Sequence, residues 1–218
     1  MIRAILFDMD GVVIDSEPLY EKVEKLLFKQ YGISIPHKDQ KDLKGTTEAE
    51  FYDRVEKRYK PNWNRAEVVT ESRRLLVKLF VSDLEFMPGF TALADRLTGH
   101  YLLGLVTSTT KRFFRQISRV LPIKDIFDEI ICADDILNGK PHPEPYLTMM
   151  ERLQVIPEEV VVVEDSVHGI ESARRSGAIC VALASSFSRN ELEEADTVIN
   201  SLDEINDDFI RHLGLRQQ

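Results

Sequence analysis

Hydrophobic residues in this chain fall into two kinds of run. Ala4-Ile5-Leu6-Phe7, Leu102-Leu103-Gly104-Leu105-Val106, Val160-Val161-Val162-Val163 and Ile179-Cys180-Val181-Ala182-Leu183 are nearly continuous apolar segments. That is the pattern of strands covered on both faces. Glu129-Ile130-Ile131-Cys132 and Thr197-Val198-Ile199 read as two shorter strands. Between the runs, helices are predicted over 92–97, 112–120, 143–153 and 166–175. In the third of these, Tyr146, Met149, Met150 and Leu153 recur at helical spacing. Ser166 is placed as an N-cap and Gly177 as a C-terminal stop. Strand and helix alternate, so the class is α/β with a parallel sheet and right-handed crossovers.

One interval breaks the alternation. A strand–helix–strand unit takes about 30 residues, and the stretch from Asp10 to Leu102 is roughly three times as long. Pro88-Gly89 and the helix behind it supply the ordinary crossover, which leaves about 15–86 in surplus. Leu19, Val23, Leu26, Leu27 and Tyr31 follow a helical period, and so do Val68, Val69, Leu75, Leu76, Leu79 and Phe80. An inserted helical domain over 15–86 is expected, with the α/β core at 1–14 and 87–218.

Ligands of open α/β sheets bind beyond the carboxyl ends of the strands. Four polar features are predicted there: Asp8-Met9-Asp10, Thr107-Ser108, Lys140-Pro141 and Glu164-Asp165. Any one of them alone is ordinary strand-end polarity. Together they make a chemical set. Asp8 and Asp10 share a side of the chain and repel unless a cation or a raised pKa relieves them. Carboxylates from two strand ends form a hard-oxygen site suited to Mg²⁺. Lys140 and the Thr107 hydroxyl add positive charge and hydrogen bonds for a phosphoryl group.

The order D-x-D, apolar-T/S, K-P and E/D-D resembles the haloacid dehalogenase-like hydrolase superfamily, and the resemblance spans essentially the whole chain. Asp8-Met9-Asp10-Gly11-Val12-Val13-Ile14-Asp15-Ser16-Glu17-Pro18 is similar to the opening of its β-phosphoglucomutase-like phosphatases. Gly139-Lys140-Pro141-His142-Pro143-Glu144-Pro145-Tyr146 and Val163-Glu164-Asp165-Ser166-Val167-His168-Gly169-Ile170 match its later motifs. The resemblance implies a Rossmann-like core with a helical cap between the first two motifs. It implies that Asp8 is the nucleophile forming an aspartyl-phosphate, and that Asp10 is the general acid and then the base. Mg²⁺ would be held by Asp8, the main-chain carbonyl of Asp10, Asp165 and Glu164. Thr107 and Ser108 would bind phosphate, and Lys140 would pair with both Asp8 and the phosphate.

The leading expectation is a Mg²⁺-dependent phosphatase of a small phosphorylated metabolite, with sugar phosphates the leading class. The alternative is a phosphosugar isomerase. Mutases of the family carry a histidine and an arginine where this chain aligns Tyr20 and Glu48, the latter in Leu43-Lys44-Gly45-Thr46-Thr47-Glu48. An acidic residue where a second phosphate is gripped argues against the mutase. A dehalogenase would need neither the metal nor Asp10. A non-catalytic phosphosugar-binding regulator would lack one or more motif residues, and none is lost. The five histidines show no ligand spacing, and Arg73 and Arg74 read as solvated helix surface.

Bulk properties narrow the rest. Lys+Arg is 28 against 37 Asp+Glu, a formal net charge of -9. That disfavours sequence-independent nucleic-acid binding. Cys132 and Cys180 sit in apolar runs and read as buried reduced thiols. Met1-Ile2-Arg3 leads straight into a strand, and no apolar run approaches the ~18–20 residues of a membrane span. A cytoplasmic protein without membrane partners, monomeric by family likeness, is the expectation.

Overall fold

The four long apolar runs become the inner strands of a six-stranded parallel sheet, and the two short ones become its edges. A computed structural model describes residues 1–36, 39, 43 and 48–215. The strands are β1 (Ala4–Phe7), β2 (Leu102–Val106), β3 (Glu129–Ile131), β4 (Val160–Glu164), β5 (Ile179–Leu183) and β6 (Thr197–Ile199), in the order β3-β2-β1-β4-β5-β6. Every residue of β1, β4 and β5 is buried, whereas Glu129, Ile130, Thr197 and Val198 on the edges are half-buried. Continuous apolar strands are required where helices cover both faces, and that demand relaxes at an edge.

The helices are α1 (Glu17–Gln30), α2 (Glu48–Tyr59), α3 (Arg65–Asp83), α4 (Phe90–Leu97), α5 (Lys111–Ile117), α6 (Glu144–Leu153), α7 (Val167–Ser176) and α8 (Asp207–Leu215). On one sheet face Tyr146, Met149 and Met150 of α6, with Ile170 and Ala173 of α7, join Ala4, Leu6, Val160 and Val162 in one buried cluster. Elsewhere Phe7 meets the rings of Phe90 and Phe127, with centroids 5.8 and 6.0 Å away. Helix α5 ends at Ile117, three residues short of the predicted 120. The Ser118 hydroxyl bonds back to the Phe114 carbonyl, and Pro122 disfavours helical backbone at Leu121.

The chain forms two compact units, Met1–Asp15 with Glu85–Gln218, and Ser16–Leu84. Asp15 and Glu85 belong with the α/β unit because the linkers pair. Ile14 bridges Phe86 antiparallel, the Asp15 amide donates to the Glu85 carbonyl (3.0 Å), and the Met87 amide donates to the Val13 carbonyl (2.9 Å). The other unit holds α1, α2 and α3 around Leu19, Val23, Leu27, Val55, Val68, Leu76 and Phe80. Leu26 fits the sequence period yet is 51% exposed. One residue from Leu27 it is turned about 100°, off the buried stripe. His37 and Lys44-Gly45-Thr46-Thr47 lie outside the described residues. No helix among the described residues is long and apolar enough to cross a membrane. Both cysteines are free and buried.

Candidate active site

Strand order reverses at β1. The chain runs from β1 through β2 to β3 on one side, then returns to β4 on the other. At such a switch point the loops leave the sheet in opposite directions and open a crevice at the carboxyl ends. Phe7 lies level with Val163, and the Asp8 amide donates to the Val163 carbonyl (3.0 Å). The register therefore sets Asp8 beside Glu164 at the mouth of that crevice.

Lys140 joins them. Its Nζ donates to Asp8 Oδ1 (2.5 Å), Glu164 Oε1 (2.6 Å) and the Val106 carbonyl (3.1 Å). An ammonium has three hydrogens, so all are committed. Its side chain is 6% exposed, and those of Asp8 and Glu164 are 13% and 0% exposed. The Lys140–Pro141 peptide is cis. Glu164 is held still more tightly. Its Oε1 also accepts from the Tyr146 hydroxyl (2.7 Å). Its Oε2 accepts from the Asp165 amide (3.0 Å), the Ser166 amide (3.2 Å) and the Ser166 hydroxyl (3.0 Å). Asp165 Oδ2 accepts from the Ser186 hydroxyl, while the Ser185 hydroxyl donates to the Gly11 carbonyl (2.7 Å).

Two glycines make room for this. Gly11 has φ +76°, and a Cβ there would stand 2.0 Å from Asp165 Oδ2. A Cβ on Gly169 would stand 1.8 Å from Glu164 Oε1. Any side chain at either place would displace a carboxylate.

Electrostatics follow from the crowding. Burial pushes the Asp8 carboxyl up; Lys140 opposes it, Glu164 and Asp10 add to it, and the result is about 7. Burial works against the Lys140 ammonium too, but Asp8 and Glu164 outweigh it and raise its pKa. For Glu164 burial is overcome by Lys140, Tyr146 and Ser166, and its pKa is lowered. Oxygens of Asp8, Glu164 and Asp165 lie within 4.8 Å of one another. One ammonium faces three carboxylates, all donors are hard oxygens, and the excess charge is negative. A divalent cation fits that donor set.

The structure thus brings Asp8, Lys140, Glu164 and Asp165 together. Asp10 is half-buried and follows on the turn that Gly11 opens; its carboxylate is not part of the three-residue cluster. Thr107 is 2% exposed at the end of β2, and its hydroxyl oxygen accepts from the Thr109 amide (3.0 Å). Ser108, next to it, is exposed.

The family model described as haloacid dehalogenase-like hydrolase matches residues 5–183. The chain belongs to the haloacid dehalogenase-like hydrolases. A phosphorylated carbohydrates phosphatase of Thermotoga maritima is 33% identical over 81% of this chain and 82% of its own. Hexitol phosphatase B of Escherichia coli is 29% identical over 94% of each. The crystal structure of a β-phosphoglucomutase from Clostridium difficile superposes with a TM-score of 0.80 at 26% identity, covering 100% of this chain and 99% of that one.

Three side chains of this hydrolase's site escaped the sequence reading. Ser185 and Ser186 lie just past β5, after one intervening residue, so the strand-end rule that found the other four features applies to them equally. Tyr146 was read as part of an apolar stripe. A buried tyrosine usually finds a partner for its hydroxyl, and that was the available signal.

Proposed function

We propose that this hydrolase is a Mg²⁺-dependent phosphatase that removes phosphate from a small phosphorylated metabolite, foremost a sugar phosphate, through an aspartyl-phosphate on Asp8. That it is a phosphoric monoester hydrolase follows from its family and from the phosphatases to which it is similar. The observation that carries the finer reading is the Asp8–Lys140–Glu164 bridge at the crevice. It presents a carboxylate oxygen beside a fixed positive charge.

In this reading an Asp8 oxygen attacks phosphorus and the substrate oxygen leaves. Asp10 donates the proton that the leaving alkoxide needs, then takes one from water as the acyl phosphate is hydrolysed. The Thr107 hydroxyl, whose proton has no acceptor among the described residues, and Ser108 are assigned to phosphoryl oxygens. Lys140 counters the charge on Asp8 and on those oxygens. Asp8, Asp165 and the Asp10 main-chain carbonyl would hold Mg²⁺; Glu164, expected as a further ligand, already accepts from Lys140 and Tyr146 on Oε1 and from Asp165 and Ser166 on Oε2, and is assigned to add charge behind them. The ion would supply charge neutralisation for the phosphoryl oxygens. The inserted unit at 16–84 is read as the family's cap domain.

The mutase is the second reading, favoured by likeness to a solved β-phosphoglucomutase. The two positions aligned with its signature residues are occupied otherwise here. Tyr20 packs edge-on against Phe80 at 6.1 Å, and Glu48 is gripped by Arg73 through Nε (3.0 Å) and Nη2 (2.6 Å). A phosphate-release screen over sugar phosphates, phosphoglycolate and nucleotides, with Mg²⁺ and with chelator, tests the phosphatase. Release should require Mg²⁺, and Asp8→Asn should abolish it with the fold intact. Full activity in that variant refutes the nucleophile. Rapid conversion of β-glucose 1-phosphate to glucose 6-phosphate, primed by glucose 1,6-bisphosphate, would instead establish the isomerase.

A further inference from the structure

Tyr146 is fully buried on the first turn of α6 and holds a polar atom against the catalytic bridge. Its hydroxyl donates to Glu164 Oε1 (2.7 Å), the same oxygen that takes Lys140 Nζ (2.6 Å). Its ring also faces that ammonium, with Nζ 5.1 Å from the centroid. That is within range of an attraction between a cation and the negative face of an aromatic ring. One side chain thus touches both Lys140 and the carboxylate that anchors it, while standing behind them, out of solvent.

The three hydrogens of Lys140 are spent, so a phosphoryl oxygen can enter its shell only by exchange. The bond to give up is the longest one and the one to an uncharged acceptor, the Val106 carbonyl at 3.1 Å. During that exchange the ammonium must stay registered on Asp8, and Glu164 is its other anchor. Glu164 Oε2 is fixed by its own strand end through Asp165 and Ser166. Apart from Lys140 itself, Tyr146 is the donor to Oε1 among the described residues. We propose that Tyr146 is a positioning residue for the phosphoryl-transfer step. Through Glu164 it fixes where Lys140 stands relative to the attacking oxygen of Asp8. This rests on the reading of Asp8 as the nucleophile.

Tyr146→Phe keeps the ring and the packing and removes only the hydroxyl. Hydrogen bonds to charged groups are stronger than those between neutral ones. Turnover of a chromogenic aryl phosphate, with Mg²⁺ present and normalised to the folded fraction by circular dichroism at the assay temperature, should fall about tenfold or more. KM should change less than twofold, because Tyr146 is fully buried behind Glu164 and Lys140. A purely structural tyrosine would lower the melting temperature and leave turnover per folded molecule unchanged; that result overturns the proposal. So does a rise in KM at constant kcat. The same substitution in a Glu164→Gln background should cost less than twofold more, since the group it acts through is already altered; full additivity overturns the route through Glu164. If the double variant does not fold, the kcat–KM split of Tyr146→Phe decides alone. Asp8→Asn is measured beside it. An inactive Asp8→Asn with an unaffected Tyr146→Phe sinks this inference and leaves the phosphatase reading standing, whereas an active Asp8→Asn sinks the reading itself.

Discussion

A carboxyl that titrates at about 7 in the folded protein, against 3.8 ordinarily, links the site to stability. Between about pH 4 and 7 the folded state keeps the Asp8 proton that the unfolded chain has already lost. The contribution of Asp8 to stability therefore falls as pH rises through that window and is level outside it. Glu164 is shifted the opposite way, and its contribution is lost only below the ordinary glutamate range. Melting temperatures of the metal-free protein should drop between pH 5 and pH 8 by more than those of Asp8→Asn. Equal pH slopes in the two proteins would show that Asp8 does not carry this proton. Saturating Mg²⁺ should shrink the difference, because a divalent cation favours the same ionised state.

At the scale of elements, the site depends on how α7 begins. Ser166 leaves β4 in extended backbone, and its hydroxyl oxygen accepts from the Gly169 amide (3.0 Å). The same hydroxyl donates to Glu164 Oε2 (3.0 Å), so one atom caps the helix and steadies the carboxylate. Gly169, one turn in, clears space for that carboxylate. Loss of an N-cap costs about 1 kcal/mol, and a hydrogen bond to a charged group about 1.5–3 kcal/mol. Ser166→Ala should therefore lose about 2.5–4 kcal/mol in urea unfolding, more than the cap alone would cost. A loss under about 1 kcal/mol would mean that the contact with Glu164 contributes nothing. The cap was legible from sequence because helix starts are local. The second use of the hydroxyl was not, because it depends on the rotamer that Glu164 takes.

For the whole molecule, a cation that binds only the folded cluster should stabilise it by mass action, by about 2.7 kcal/mol at one hundred times its dissociation constant. Mg²⁺ should raise the melting temperature of the wild type and do so far less for Asp165→Asn; equal shifts would place the ion elsewhere. Much of this molecule was determined by sequence alone. Apolar runs of four or five residues, alternating with helical patterns, fit strands buried on both faces, so β1, β2, β4 and β5 and the polar residues at their ends were readable, Asp8, Asp10, Thr107 and Glu164-Asp165 among them. Lys140 was placed with them although a loop separates it from the end of β3, and the resemblance added its pairing with Asp8. The tertiary structure alone decided the partners. It set the order β3-β2-β1-β4-β5-β6, turned Leu26 outward, brought Tyr146 and Ser186 against carboxylates from other segments, and set Ser185 against the Gly11 carbonyl. A hydrophobic pattern records whether a position is buried. Which groups share that burial depends on strand order and crossing helices, and those are settled only when the whole sheet closes on its core.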